Sequence, residues 1–278
     1  MQALFDQTTF ACSKLITQRY STSFTLGIRT LDKRFHNPIY AIYGFVRYAD
    51  EIVDTFHDQD KAALLARFRA DTQLALDEGI SLNPVLHAFQ RVVHTYHIEW
   101  ALIDAFLTSM AMDLDRTSYD QQGYDVYIYG SAEVVGLMCL RVFCEGDDAE
   151  YARLREPARR LGAAFQKVNF LRDIRSDFHD RGRVYFPEAD FEGFNGAAKG
   201  AIEADIEADL KAAYEGILKL PSGARLGVYL AYVYYKTLFQ KIQRLPAARI
   251  LHERVRVPDK QKFALLVRTY VRHRLNAL

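Results

Sequence analysis

The sequence lacks the features that mark several large classes of protein. Its three cysteines, Cys12, Cys139 and Cys144, have spacings that suit neither a disulfide framework nor a metal site. It contains no G-x-G-x-x-G, Walker A or G-x-S-x-G motif, so dinucleotide-binding, P-loop and serine-hydrolase folds lose their main evidence. The 36 lysines and arginines nearly balance 35 acids, giving a net charge of +1. We therefore expect reduced thiols and no nucleic-acid partner.

A signal peptide and a long hydrophobic run are also missing. The chain starts MQALFDQTTFACSKL, with polar and acidic residues where a signal peptide has a basic start and an apolar stretch. The longest weakly charged stretch, residues 127–140, contains Glu133 and is too short to span a bilayer. These absences predict a cytoplasmic protein with at most a peripheral membrane contact. They predict no particular oligomeric state.

Helical periodicity runs through the whole sequence, and no segment alternates as a β-strand does. The pattern predicts an all-α fold, a single-domain helical bundle over residues 1–278. Pro38, Pro84, Pro157, Pro221 and Pro258 are expected near helix starts. The predicted helices span roughly residues 4–19, 38–56, 59–78, 84–96, 99–116, 120–144, 148–178, 198–218, 222–244 and 259–276, with a loop over 179–197.

Two pairs of aspartates stand out in this helical pattern. Asp50 and Asp54 are four residues apart, and so are Asp173 and Asp177. Residues at i and i+4 lie on one helix face with Cβ atoms about 5–6 Å apart, so each pair can share divalent cations. Mg²⁺ typically takes one or two protein carboxylates together with phosphate oxygens and water. The two pairs therefore indicate a diphosphate site.

The residues that share each stripe strengthen this interpretation against the simpler one of a solvated charged face. Tyr43 and Arg47 lie on the stripe of the first pair, and Gln166 and Asn169 on that of the second. Solvated faces usually alternate Glu with Lys, whereas Asp is a poorer helix former and needs a reason in mid-helix. Apolar residues fill most of the remaining circumference of the second helix, so its polar stripe is expected to face a cavity.

Five stretches of the sequence stand out together. They are YSTSF at 20–24, YAIYGFVRYADEIVD at 40–54, YIYGSAEVVG at 127–136, QKVNFLRDIRSDFHDRGRVYFP at 166–187 and LHERVRVPDKQK at 251–262. In this order they resemble the motifs of the squalene and phytoene synthase family, which joins two prenyl diphosphates head to head. The resemblance covers nearly the whole chain and is closest to bacterial members of carotenoid biosynthesis.

The resemblance implies roles for individual residues and an isoprenoid-synthase-like bundle with a central cavity. The implied catalytic residues are Asp50, Asp54, Asp173, Asp177 and Tyr127. The implied ligands of Mg²⁺, with Mn²⁺ as a substitute, are the four aspartates and Asn169. The implied contacts with the prenyl diphosphate substrates are Ser21, Ser23, Tyr43, Arg47, Gln166, Asn169, Arg172, Tyr235 and Arg254. Taken singly, the serines, Tyr127 and Tyr235 are as readily explained by capping or core packing.

The reaction implied by the resemblance passes through a cyclopropylcarbinyl diphosphate. We expect two C20 geranylgeranyl diphosphates to give phytoene. The alternative is a C30 enzyme that makes dehydrosqualene, or squalene if NADPH reduces the final cation. A non-catalytic relative, like the family's mitochondrial assembly factors, is the third possibility, although all four aspartates are present.

Three positions bear on the shape of the cavity. Glu133 replaces a glycine that is common in the family, which predicts a changed prenyl pocket. Tyr20 stands where relatives often have histidine. Ile28, about one turn beyond Ser23, is expected to limit the length of the prenyl tail.

Overall fold

The fold is all-α, as the periodicity predicts. A computed structural model describes residues 1–187, 194–252 and 254–274. Within these ranges there is no β-strand, only one isolated parallel bridge between Ser118 and Val184. The helices in chain order are α1 Gln2–Tyr20, α2 Thr22–Arg29, α3 Lys33–Asp54, α4 Lys61–Glu78, α5 Pro84–Tyr96, α6 Trp100–Asp115, α7 Gln121–Ile128, a π-helical turn Tyr129–Glu133, α8 Val134–Cys144, α9 Asp148–Arg181, α10 Gly196–Ile217, α11 Ser222–Gln243, α12 Ala247–Ile250 and α13 Asp259–Arg274.

The predicted helices are present, and two short ones, α2 and α12, were not predicted. Ser21 alone separates α2 from α1. Its extended backbone ends α1, and its hydroxyl accepts a hydrogen bond from the Phe24 amide at 3.2 Å, which starts α2. Helices this short give little periodic signal, so the break is difficult to see in the sequence. Within the predicted loop 179–197, residues 179–181 continue α9 and residues 188–193 lie outside the described ranges.

The prolines only partly mark helix starts. Pro84 opens α5, where the Asn83 side chain accepts hydrogen bonds from the Val85 and Leu86 amides. Pro38 was wrongly predicted as a start, because α3 begins at Lys33. A proline inside a helix removes one backbone hydrogen bond, and here the burial of the helix outweighs that loss.

Pro157 is also inside a helix, α9, and not at its start. Its ring packs against α10 at Gly216, where a Cβ atom would lie 2.2 Å from the Pro157 Cβ. The close contact lets α9 and α10 run side by side in spite of the missing hydrogen bond.

Stacked aromatic rings fix the rotation of α3. Phe45 is fully buried and stacks on Phe89 of α5, with ring centroids 3.9 Å apart and an interplanar angle of 2°. Phe68 of α4 and Phe106 of α6 pack on the same ring. This face of α3 is buried against α4, α5 and α6. The stripe that carries the first aspartate pair therefore faces away from these helices.

Buried charges fix the rotation of α9. Asp209 of α10 has no exposed surface, and it lies 2.7 Å from Lys167 and 2.9 Å from Arg160. Asp205 also pairs with Lys167. These contacts hold one face of α9 against α10 and leave its other stripe for the second aspartate pair.

The π-helical turn is pressed between α6 and α9 with little space on either side. A Cβ at Gly130 would lie 2.5 Å from the Ala105 carbonyl oxygen. A Cβ at Gly162 would lie 2.7 Å from the Ala132 carbonyl oxygen. The three segments therefore touch backbone to backbone along this seam.

The α7 to α8 stretch, Gln121–Cys144, forms one helical run of 24 residues, longer than residues 127–140 alone. Among the described residues it is the one run long and apolar enough to cross a membrane. Half of its most apolar window is buried inside the fold, and the core helices of globular proteins meet the same criterion. Length and composition therefore do not make it a membrane helix. The extent of the predicted single domain stays a prediction.

Candidate active site

A cavity of about 590 Å³ lies between α2, α3, α8, α9, α11 and α13. The N-terminal halves of α3 and α9 give it apolar walls, with Ile39, Ile42, Leu154 and Leu161. Their C-terminal halves give it polar groups. The predicted site residues that line it are Ser21, Ser23, Tyr43, Arg47, Asp50, Tyr127, Gln166, Asn169, Arg172 and Tyr235.

The first aspartate segment forms the last turns of α3. Arg47 Nη1 lies 3.1 Å from Asp50 Oδ2, and Arg47 Nη2 pairs with Glu51, a contact that the sequence did not indicate. The guanidinium stacks over the ring of Tyr20 at 4.4 Å from its centroid. Arg47 Nε is buried and has no hydrogen-bond partner in the described part of the chain. This leaves a donor of the guanidinium unused at the edge of the cavity.

The second segment lies on α9 and is held by two arginines. Arg172 Nε lies 3.1 Å and 3.0 Å from the two carboxylate oxygens of Asp173, its neighbour in the chain. Arg254 comes from the C-terminal segment, and its Nε lies 2.7 Å from Asp173 Oδ1. Asp177 is buried, with 5% of its surface exposed. Asp173, Asp177 and Arg254 do not line the cavity, so Asn169 and Arg172 are the residues that present this segment to it.

The two segments meet through their tyrosines. Tyr43 of α3 is close enough to Ser21, and to Tyr235 of α11, for both residues to affect its pKa. Tyr235 in turn lies close enough to Asn169 for the amide to affect its pKa, and it stacks on Phe165 with ring centroids 3.9 Å apart. The polar ends of α3 and α9 therefore belong to one site.

A buried oxygen of Asn169 fits the binding of a divalent cation. Asn169 Oδ1 has no hydrogen-bond partner among the described residues, although it is buried. Hard cations favour amide and carboxylate oxygens, and Asp173 follows one turn later. No group of three or more His, Cys, Asp or Glu side chains is gathered as ligands in the described ranges. The donors thus fit a cation that takes most of its ligands from phosphate and water.

Arg183 connects Asp54 to other residues of the site. Arg183 Nη1 lies 3.5 Å from Asp54 Oδ1 and 3.7 Å from Asp113 Oδ1. Tyr127 donates a hydrogen bond to Asp113 Oδ2 at 2.7 Å. Asp113 was not predicted as a site residue, because nothing in the sequence links residue 113 to either motif.

Burial keeps the phenols around the cavity neutral. It raises the pKa of Tyr127 well above the usual value, and the Asp113 carboxylate raises it further. Burial also raises the pKa values of Tyr43 and Tyr235, although Arg47 and Arg172 act in the opposite direction. Neutral aromatic faces attract cations, by about 0.5–2 kcal/mol each. The site therefore combines charged groups for an anion with neutral rings for a developing cation.

Glu133 is not among the residues that line the cavity. Its side chain leaves the cavity and accepts a hydrogen bond from Arg159 Nε at 2.6 Å. The cavity wall at this turn comes from Ser131, Ala132 and Val135. The π-helical geometry of Tyr129–Glu133 shifts the residues around the helix axis, an effect that a regular helical projection of the sequence cannot show.

The cavity is apolar, and its polar end carries acids, arginines and a buried amide oxygen. This combination defines a class of helical enzymes that bind ligands with an anionic head and a long apolar tail. Over residues 17–261 the chain matches the model of the squalene/phytoene synthase family, and it belongs to that family. The matched range contains all the predicted site residues, from Ser21 to Arg254.

Relatives and solved structures agree with this membership. A phytoene synthase of Arthrospira platensis is 26% identical over 285 residues, covering 94% of this chain and 92% of the relative. A phytoene synthase of Cereibacter sphaeroides is 29% identical over 259 residues, covering 84% and 71%. A crystal structure of a dehydrosqualene synthase in complex with ligand superposes with a TM-score of 0.83 at 23% identity, covering 97% of this chain and 98% of the other. This last likeness concerns the fold.

Proposed function

We propose that this protein condenses two geranylgeranyl diphosphates head to head into phytoene, as a transferase of prenyl groups in carotenoid biosynthesis. The observation that carries the proposal is one cavity in which Arg47 and Asp50 of α3 face Asn169 and Arg172 of α9 beside apolar walls. Polar groups at one end suit the diphosphate, and the apolar remainder suits the prenyl tails. Two relatives named phytoene synthase support the C20 substrate.

The charged residues bind and neutralise diphosphate. Mg²⁺, or Mn²⁺ in its place, would be held by Asp50, Asp54, Asn169, Asp173 and Asp177. When bound it supplies charge stabilisation for the departing diphosphate. Arg47 and Arg172 carry planar guanidinium groups, which match phosphate oxygens in pairs. Because both arginines are already held by carboxylates, their positions are set before substrate enters.

The rest of the cavity protects the cation that follows ionisation. Its apolar lining excludes water, which would otherwise quench the cation. Tyr127 and Tyr43 present neutral rings, and Phe24 packs on Tyr43 with ring centroids 5.5 Å apart. These rings supply electrostatic stabilisation without a nucleophile of low pKa.

Product analysis tests the proposal directly. The purified protein is incubated with Mg²⁺ and either C15 or C20 diphosphate, with and without NADPH, and the hydrocarbons are identified by mass. We expect phytoene from the C20 substrate, independent of NADPH. A C30 product formed in preference would favour the dehydrosqualene or squalene alternative. No hydrocarbon from either substrate would overturn the proposal and favour a non-catalytic relative.

We also propose that the protein works in the cytoplasm and contacts the membrane peripherally when the hydrocarbon leaves. The support is chemical, because the substrate head is ionic while the product has no polar group and partitions into lipid. Cell fractionation with a high-salt wash tests this. Release of the protein into the wash is expected, and extraction by detergent alone would contradict it.

A further inference from the structure

Asp113 is a buried carboxylate to which no role has been given. It lies in the last turns of α6, with 7% of its side chain exposed. Ionised groups are rarely buried this deeply unless they are paired, because the loss of hydration is costly. Burial raises the pKa of Asp113, and the nearby Asp54 raises it further, while Arg183 acts in the opposite direction. The charge of Asp113 therefore depends on its neighbours.

One of these neighbours is Tyr127, whose hydroxyl hydrogen points at Asp113 Oδ2 over 2.7 Å. The hydroxyls of Tyr119 and Tyr185 approach the other carboxylate oxygen at 3.4 Å and 3.5 Å. Tyr127 also lines the cavity, and its hydroxyl proton is engaged in the bond to Asp113. Asp113 thus fixes the direction of the Tyr127 dipole.

The other neighbour is Arg183, which Asp113 holds with its main chain and its side chain. Arg183 Nη2 donates to the Asp113 carbonyl oxygen at 2.7 Å. Arg183 Nη1 lies between Asp113 Oδ1 at 3.7 Å and Asp54 Oδ1 at 3.5 Å. The guanidinium is therefore held between Asp113 of α6 and Asp54 of the first aspartate segment.

The backbone around Arg183 also depends on the end of α6. Gly182, with φ at +65°, ends α9, and the Arg183 amide then bonds to the Asp177 carbonyl at 2.8 Å. The following amide, of Val184, bonds to the Thr117 carbonyl at 2.8 Å. The turn after the second motif is thereby fastened to the segment after α6, which also carries Asp113.

We propose that Asp113 is a positioning residue of the diphosphate site, which holds Arg183 against Asp54 and orients the Tyr127 hydroxyl. The proposal rests on the proposed function, because it assigns Arg183 to the diphosphate. Burying the acid Asp113 is costly, and a neutral residue could fill the same space. The positioning role explains why an acid occupies this place.

Three variants test the inference. Asp113→Asn keeps the shape of the side chain and removes its charge. Asp115→Asn removes a charge of the same sign at an exposed position two residues further along the chain. Arg183→Gln removes the guanidinium through which Asp113 is proposed to act. The measurements are kcat and KM for the prenyl diphosphate, the melting temperature, and the affinity for inorganic pyrophosphate with Mg²⁺ by calorimetry.

We expect Asp113→Asn to lower kcat/KM by about 10- to 100-fold, the usual range for a residue that orients a ligand-binding group. Asp115→Asn should match the parent protein. In the Arg183→Gln background, Asp113→Asn should lower kcat/KM by less than about threefold more, because coupled residues are not additive and the asparagine oxygen can still accept the hydrogen bond of Tyr127. Independent, fully multiplying effects of the two substitutions would overturn the inference.

Pyrophosphate binding keeps the inference testable if Asp113→Asn does not fold. Arg183→Gln should bind pyrophosphate at least about tenfold more weakly, as expected for the loss of a charge-assisted contact. Arg175→Gln, an exposed arginine of α9, should bind normally. Equal affinities in the two variants would overturn the role of Arg183 and with it that of Asp113. This readout needs no hydrocarbon product, so it separates failure of the inference from failure of the proposed function.

Discussion

The two aspartate segments look alike in the sequence and differ in the structure. The first ends α3 and is the more exposed, with 41% of the Asp50 side chain and 24% of the Asp54 side chain accessible. The second lies within the long α9, where 17% of the Asp173 side chain is accessible. In the described part of the chain, Asp173 contacts two arginines, whereas Arg47 is shared between Asp50 and Glu51.

The difference indicates a division of work. Negative charge at a helix C-terminus is disfavoured by the helix dipole, so the acids that end α3 gain most from an added cation. The second segment places two guanidinium groups, those of Arg172 and Arg254, on the single acid Asp173. We therefore interpret the first segment as depending more on metal and the second as contacting diphosphate more directly.

The largest expected effect comes from removing either acid. Asp50→Asn and Asp173→Asn should each lower turnover by about 10³-fold or more, because each removes charge stabilisation at the reacting diphosphate. The melting temperature should change little. Product formation by mass and circular dichroism melts are the measurements, and retained activity in either variant would refute the metal-site assignment.

The same two variants test whether the first segment depends more on metal than the second. Mg²⁺ is titrated at a fixed pyrophosphate concentration, and the rise in melting temperature is measured. Asp50→Asn should need more Mg²⁺ than Asp173→Asn to reach half of the maximal rise. Identical shifts would mean that both segments depend on the metal to the same degree.

A smaller effect is expected in the helix that carries the second segment. Asp209→Ala leaves Lys167 buried with only Asp205 as an acidic partner, and we expect it to lower the free energy of unfolding by about 3 kcal/mol. Asp205→Ala removes the half-exposed partner of the same lysine and should cost less than about 1 kcal/mol. Urea denaturation measures both. Equal costs would show that α9 is not braced by the buried acid.

The apolar wall beside the first segment offers the next test. Ile28 of α2 is 3% exposed and lines the cavity, so Ile28→Trp should favour the C15 over the C20 substrate by about tenfold in a competition assay. Leu15→Trp adds the same bulk at an exposed position of α1 and should leave the ratio unchanged. Unchanged selectivity in Ile28→Trp would discard the idea that α2 limits the tail.

The smallest effect concerns Glu133. Burial raises the pKa of this carboxyl, although Arg159 partly opposes it. A raised pKa means that the stability it contributes is present below the unfolded pKa of about 4.5 and is lost as pH rises through the folded value. Relative to Glu133→Gln, the parent protein should therefore gain stability from about pH 7 to pH 4. Denaturation at both pH values measures this, and the ratio of products from C15 and C20 substrates should not change.

The sequence predicts best what depends on neighbours along the chain. Arg47 and Asp50 of the first stripe and Gln166 and Asn169 of the second line the cavity together, because the i,i+4 relation that links the residues of each stripe is local. Asp113 could not be predicted from its neighbours along the chain, because its role depends on its contact with Arg183, 70 residues further on. The outward direction of Glu133 depends on a π-helical turn, which packing between α6 and α9 imposes.

That turn has a consequence for how the protein can change over generations. Where Gly130 and Gly162 bring main chains into direct contact, there are no side chains to exchange, and any substituent would separate the helices. Changes of substrate length are therefore expected at positions such as Ile28, where a side chain lines the cavity and can become larger or smaller. The two glycine positions are thus expected to tolerate far less change than the side chains that line the cavity.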